Sequence, residues 1–176
     1  HFLLGRVWGK DASGKWKVLP KPKDTEPQVL FIERCLDMLI NGGTLAIVLP
    51  ETIFHAVQSR YVLNFIKTGN NLKAIIDLAH NTFRPHNNAK TLLIVLQKGR
   101  PQQESIIMGV AEETGHNHQG LPVYRYDQTT RRFTDEVWDD TLIIRKELDH
   151  PNDPKNTNVF VVKAKDIKDE NYVPRY

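Results

Sequence analysis

The sequence predicts an α/β fold, part of an open sheet covered by helices. Three features predict it. An apolar helical period over 29–40 runs into Gly42-Gly43 and then into a short, wholly apolar run at 44–49. Two further apolar runs, 72–78 and 91–97, have the length and composition of strands buried on both faces. A helical pattern at 54–67 separates the first run from the second, whereas only a polar loop, 79–90, separates the second from the third. With no room for a crossover helix, that last pair should run antiparallel.

In chain order, 1–24 shows no stable period. Glycines, prolines and five lysines interrupt Trp8 and Trp16, so the segment reads as an irregular loop or arm. The chain also starts in mid-phrase without an initiator methionine, which reads as part of a longer protein. Thr25-Glu26-Pro27-Gln28 predicts a helix start, with Thr25 as N-cap, Pro27 in the first turn and Gln28 at the capping-box position. The apolar residues between Val29 and Ile40 give that helix a wide face to lay on a sheet. Gly42-Gly43 is expected to end it by a left-handed C-cap. The second helix, 54–67, should turn Val57, Tyr61, Ile66 and either Leu63 or Phe65 inward, and Gly69 should break it.

Beyond Gly99 the pattern thins. Residues 104–110 and 159–163 read as strands, 114–120 as a turn-rich loop, 124–132 as polar and mobile, and 150–158 as a linker. Residues 134–148 read as a helix capped by Thr134 with acids in its first turn.

The bulk numbers bound the function. A chain of 176 residues with 40% hydrophobic content can bury one domain core. A net charge of +3 and a pI near 9.0 are too slight to establish a nucleic-acid partner. The single cysteine, Cys35, excludes an internal disulfide and fits a reducing compartment; within its apolar stripe it reads as a small buried hydrophobe. No apolar run has the length of a membrane span and no signal-peptide pattern opens the chain, so the expected location is the cytoplasm, away from any membrane.

The strings FIERCLDMLINGGTLAIVLPETIF and LKAIIDLAHNTFRPHNNAKTLLIVLQKG carry a resemblance. Together they resemble the later half of the adenine-N6 DNA methyltransferases, above all the modification subunits of type I restriction systems. The matching spans 26–100, and a looser likeness covers 106–113 with Gly115 and Gly120. The resemblance implies the later half of a Rossmann-like, S-adenosylmethionine-dependent methyltransferase sheet, with 44–49 as its fifth strand, 72–78 as its sixth and 91–97 as an antiparallel final strand. A less regular C-terminal extension follows. The expected domains are an arm at 1–24, the methyltransferase half at 25–130, and at 131–176 an extension leading toward a specificity or partner-binding segment.

Two motifs of that family are missing. No glycine-rich F-x-G-x-G loop for the cofactor occurs between His1 and Tyr176, and no Asn-Pro-Pro-Tyr/Phe catalytic loop. By family order both precede His1. The resemblance therefore implies S-adenosylmethionine as cofactor of the intact protein, not held by this chain alone, and no catalytic residue within it. It further implies double-stranded DNA as substrate, and specificity and restriction subunits or fused domains as partners. Half a sheet would also leave an edge and a face exposed, favouring association.

What remains is a substrate-side loop. A base modified in a duplex is flipped out and held by stacking. The family's loop before the last strand supplies an aromatic just before a proline; here Phe83 stands there, with Arg84 between it and Pro85. Phe83 reads equally as a core cap at a strand edge. Arg84, His86, Asn87, Asn88 and Lys90 crowd the same loop as possible DNA contacts, or as a solvated turn. Pro50 and Glu51 follow the first apolar run, at the end where α/β sheets bind ligands.

Other groupings read as structural. His116-Asn117-His118 with Glu112 and Glu113 lacks a complete ligand set and reads as a turn rather than a metal site. Asp135-Glu136 and Asp139-Asp140 suit a helix start. Asp166, Asp169 and Glu170, interleaved with lysines, form a solvated charge pattern. The competing functional class is a non-catalytic Rossmann-like module binding nucleic acid or a partner protein.

Overall fold

In a computed structural model, described over residues 3–167 and 172–174, a five-stranded sheet carries helices on both faces. Lys168, Asp169 and Glu170 lie outside the described residues. The sheet comprises β3 (Thr44–Pro50), β4 (Asn70–Asp77), β5 (Thr91–Lys98), β6 (Ser105–Val110) and β9 (Val159–Lys163), in the order β3-β5-β4-β6-β9. Strand β5 lies between β3 and β4 and is antiparallel to both, as the short polar loop requires. Strand β6 runs parallel to β4, and β9 antiparallel to β6.

The strand periodicity sorts two cores. Leu72, Ile75, Leu92, Ile94, Leu96 and Ile106 join a large cluster under the helices α1 (Pro27–Met38) and α3 (Arg60–Lys67). Their neighbours Ile76 and Val159 join Ala79, Ala111 and Ile144 in a smaller cluster on the other face, under α4 (Asp140–Glu147). Each fully buried aliphatic side chain contributes about 1.5–3 kcal/mol. Burial on both faces holds for β4; β5 is buried on one face and only partly covered on the other, at Leu93 and Val95, and β3 is an edge strand with Val48 42% exposed.

Over its described residues, 3–24, the expected arm is not irregular. Strands β1 (Arg6–Lys10) and β2 (Trp16–Pro22) form an antiparallel hairpin with Trp8 opposite Val18 and Lys10 opposite Trp16. Trp8 stacks on Tyr61 at 6.1 Å between centroids and meets Phe65 edge-on at 6.4 Å. The hairpin has apolar residues for one face only, and the face it needs is supplied by α3, some fifty residues later. That dependence hides it from a local reading.

Helix α1 begins and ends differently from its sequence signals. Glu26 takes the N-cap place without a side-chain bond, while the Thr25 hydroxyl donates to the Lys23 carbonyl at 3.2 Å. The helix stops at Met38, with Leu39 extended. Lys98 of β5 donates its ammonium to the carbonyls of Leu36 (2.7 Å) and Leu39 (2.8 Å), so a distant cation caps the C-terminus. Gly42 is left-handed at φ 84°, but in the turn into β3 rather than at the helix cap. Phe31 is 60% exposed and Cys35 only partly buried, so the wide apolar face is not fully covered.

The 54–67 pattern also divides. A short helix α2 (Thr52–His55) and a 3-10 turn (Val57–Ser59) precede α3, because Ala56 is extended at ψ 129°. Val57 consequently points to solvent, whereas Tyr61, Val62, Leu63 and Ile66 are buried. Residues 124–137 form a second hairpin, β7 (Tyr124–Asp127) with β8 (Arg132–Val137), where a mobile loop and a helix start were expected. Helix α4 starts only at Asp140, with Asp139 as its cap accepting from the Thr141 N–H at 2.9 Å. Among the described residues no helix is long and apolar enough to cross a membrane.

Glu147 fastens the 151–158 segment to α4. Its carboxylate accepts the backbone N–H groups of Thr157 (2.8 Å), Asn158 (2.9 Å) and Val159 (2.9 Å). Burial opposes the charged form, but these donations outweigh it and hold the group below the usual glutamate value of 4.5. A carboxylate depressed in the fold contributes stability above its unfolded pKa and loses it as pH falls through the folded value. Glu147→Gln is therefore expected to be less stable than the parent at pH about 7 and to approach parity near pH 3. Urea unfolding at the two pH values checks this; an equal gap at both would refute it.

Candidate functional site

The carboxyl ends of β3 and β4 bring together two segments far apart in sequence. Pro50 is opposite Thr91 in the β3–β5 register, and the Glu51 N–H donates to the Lys90 carbonyl at 3.0 Å. The 79–90 loop thus lies directly beside the Pro50-Glu51 turn.

The loop holds itself by a chain of local bonds. The Thr82 hydroxyl donates to the Ala79 carbonyl (2.6 Å), the Arg84 N–H to the Asn81 carbonyl (2.9 Å) and the Asn87 N–H to the Phe83 carbonyl (2.9 Å). The Asn87 side chain accepts from the Ala89 N–H at 2.8 Å, and Arg84 Nη2 donates to Asn88 Oδ1. The Arg84–Pro85 peptide is cis. Phe83 ends up 41% exposed and belongs to neither core cluster. His86, Asn87 and Asn88 are exposed beside it, and Arg84 is partly covered.

Lys90 behaves differently from the DNA-contact expectation. Its ammonium pairs with the carboxylate of Asp77, which is fully buried at the end of β4, and donates to the Leu78 carbonyl. An ammonium placed this way neutralises a core carboxylate and anchors both roots of the loop. No pattern in the sequence singled out Asp77, since one acid at the end of an apolar run reads as a strand terminator.

A second segment supports the loop from outside. His116 Nε2 lies 2.9 Å from the Asn81 carbonyl oxygen, and Nδ1 lies 3.1 Å from that of Thr114. Gly120 packs so closely on Pro85 that an added Cβ would sit 3.2 Å from its Cδ. The turn containing His116 is thus a brace for the Phe83 loop. Among the described residues no three His, Cys, Asp or Glu side chains converge on a metal position.

Among the described residues, the strand ends beside this site offer no glycine cradle of the kind S-adenosylmethionine would need. Such a cofactor needs close backbone approach at a glycine turn between a strand's carboxyl end and a helix N-terminus. The turns that follow β3 and β4 in this way contain no glycine, and the left-handed glycines 14, 42, 69, 99, 115 and 120 all lie elsewhere. What the site can do chemically is present an aromatic ring, the Arg84 guanidinium, and the imidazole and amides of His86, Asn87 and Asn88, beside a carboxylate paired with Lys90.

The E. coli type I restriction enzyme EcoEI methylase subunit is 29% identical over 98 residues, 54% of this chain and 20% of that subunit. A modification subunit from Vibrio vulnificus YJ016, assigned to a type I restriction enzyme, superposes at a TM-score of 0.56 with 17% identity, covering 82% of this chain and 29% of its own. A chain from a structural study of complex assembly and conformational transition in the type I R-M system reaches 0.61 with 17% identity, covering 89% and 32%. At these identities the two structures establish the fold alone, a Rossmann-like sheet, and the chain spans about a third or less of each relative. The profile described as N-6 DNA Methylase matches residues 8–175. The chain belongs to the N-6 DNA methylase family.

Proposed function

We propose that this chain supplies the distal side of the adenine pocket of a DNA adenine-N6 methyltransferase, working as a modification subunit in a restriction-modification system. The whole protein transfers a methyl group from S-adenosylmethionine to the exocyclic amine of a flipped adenine. Cofactor and catalytic loops come from polypeptide outside residues 1–176, so this chain alone is inactive. Its partners are double-stranded DNA and the specificity and restriction components of such a system.

The observation that carries the site reading is the half-exposed Phe83, held by the 79–90 loop beside Pro50-Glu51 at the ligand-binding end of the sheet. Phe83 stacks on the flipped base. Arg84, His86, Asn87 and Asn88 border the duplex backbone, whereas Lys90 acts on the loop through Asp77. Stacking of this kind is worth about 1–3 kcal/mol per base.

The experiment uses a full-length methylase containing this segment and a duplex with 2-aminopurine at the target position. Phe83→Ala is expected to lower the flipped-base fluorescence and to weaken binding roughly 5- to 150-fold. The 176-residue chain, incubated with DNA and S-adenosylmethionine, should form no N6-methyladenine. Unchanged flipping in Phe83→Ala, or methylation by the isolated chain, would sink the proposal.

A further inference from the structure

The cations of this chain are unevenly placed. Residues 12–23 contain Lys15, Lys17, Lys21 and Lys23, and residues 52–76 contain Arg60, Lys67 and Lys73; neither stretch contains an acid. Those seven cations exceed the net charge of +3, so the remainder of the chain has an excess of acids. The fold brings the two stretches together, because the β1–β2 hairpin packs its tryptophan face on α3.

Between them lies a cleft of about 370 Å³, lined by Lys10 and Lys15 from the hairpin, Arg60 and Lys67 from α3, and Trp16. Lys10 holds its ammonium 5.5 Å from the centre of the Trp16 ring, and Lys67 lies 4.9 Å from that of Tyr172. Asp11, the acid in the hairpin turn, accepts from the Ser13 and Lys15 N–H groups at 2.9 and 3.0 Å, which occupies one of its oxygens. A second cleft of about 570 Å³ shares Lys15, Trp16 and Asn64 and continues to Asn70 and Lys98, with Asp37 as the acid in its lining. The two form one groove that reaches the start of β4 and the end of β5. The Phe83 loop joins the opposite ends of those strands, and eight residues of strand span about 25 Å.

We infer that this groove is a second DNA contact, binding the phosphate backbone of a duplex away from the adenine pocket. Cations on both walls can pair with phosphates, and each phosphate neutralised releases a counterion. Trp16 stands between them as an apolar wall against the sugar edge. Lys10, Lys15, Arg60, Lys67 and Lys98 outnumber Asp37 along the groove, while the remainder of the chain has an excess of acids, so the attraction is strongest here. The inference does not depend on the stacking role of Phe83.

The test is fluorescence anisotropy of a labelled duplex of arbitrary sequence, bound to the 176-residue chain between about 50 and 200 mM salt. Lys10 and Lys15 are both exposed, so Lys10→Gln/Lys15→Gln should fold normally, which circular dichroism verifies. The double variant is expected to bind at least about tenfold more weakly at low salt, with the slope of log K against log salt reduced by about two. Phe83→Ala should keep the parent slope. An unchanged slope in the double variant would overturn the inference, as would a slope lowered equally by Phe83→Ala. Failure of the parent chain to bind the duplex at the lowest salt would overturn it as well, with or without binding to anionic vesicles.

Discussion

Lys90→Met is expected to destabilise the fold by about 3 kcal/mol, the cost of leaving a buried carboxylate without its cation. Asp77 is completely buried, and the Lys90 side chain is only 18% exposed, so water screens the pair weakly. Methionine keeps most of the stem and removes the charge, so the measurement reports the pair rather than a cavity. The double variant Asp77→Asn/Lys90→Met should recover a substantial part of the loss, because no uncompensated charge then remains in the core. Urea unfolding of the two variants decides this. A loss below about 1 kcal/mol for Lys90→Met would mean that Asp77 is satisfied without Lys90. The same variant separates two roles for the loop: a lysine that only touched DNA would lower affinity and leave stability unaltered.

Glu33→Ala should be comparably costly, about 3 kcal/mol. Glu33 is 6% exposed on the inner side of α1, and its two carboxylate oxygens accept the N–H groups of Leu3 (2.7 Å) and Leu4 (2.8 Å). Removing the carboxylate strands two backbone donors, each costing about 1–3 kcal/mol when buried. Leu4 is fully buried and the Trp8 indole donates to the Leu3 carbonyl at 3.0 Å, so the hairpin loosens with the segment. Tryptophan fluorescence should shift toward the exposed range along with the drop in unfolding free energy. Glu33→Gln, which keeps a single acceptor, should fall between parent and alanine. Parent-like stability in the alanine variant would show that Leu3 and Leu4 are held by packing alone.

Both residues illustrate what a local reading of the chain can and cannot detect. Glu33 looks like one of the few polar positions of α1, and Asp77 like a polar end to β4. Neither looks structural until its partner, 29 to 30 or 13 residues away, is placed beside it. The same holds for the α1 terminus, where the Gly-Gly turn signal was outcompeted by Lys98 reaching across from β5. It holds again for the first hairpin, whose single apolar face is indistinct until Tyr61 and Phe65 lie beneath it.

The Phe83 loop was legible as a loop and as a position in the family order. Its surroundings were not. That His116 and Gly120 brace it, and that Lys90 turns inward, follow from contacts between segments with no periodic relation.

Apolar runs of strand length, a helix-length period and the glycines and prolines between them were enough to specify the α/β class, the three neighbouring strands and the antiparallel sense of β4 and β5. Those properties depend on side-chain spacing over a few residues and on the length of one loop. The strand order, the exposed edge at β3, the pairing of Asp77 with Lys90 and the gathering of lysines opposite α3 arose only on folding. They depend on which distant groups share a low-dielectric interior or a common surface, and spacing along the chain does not encode that.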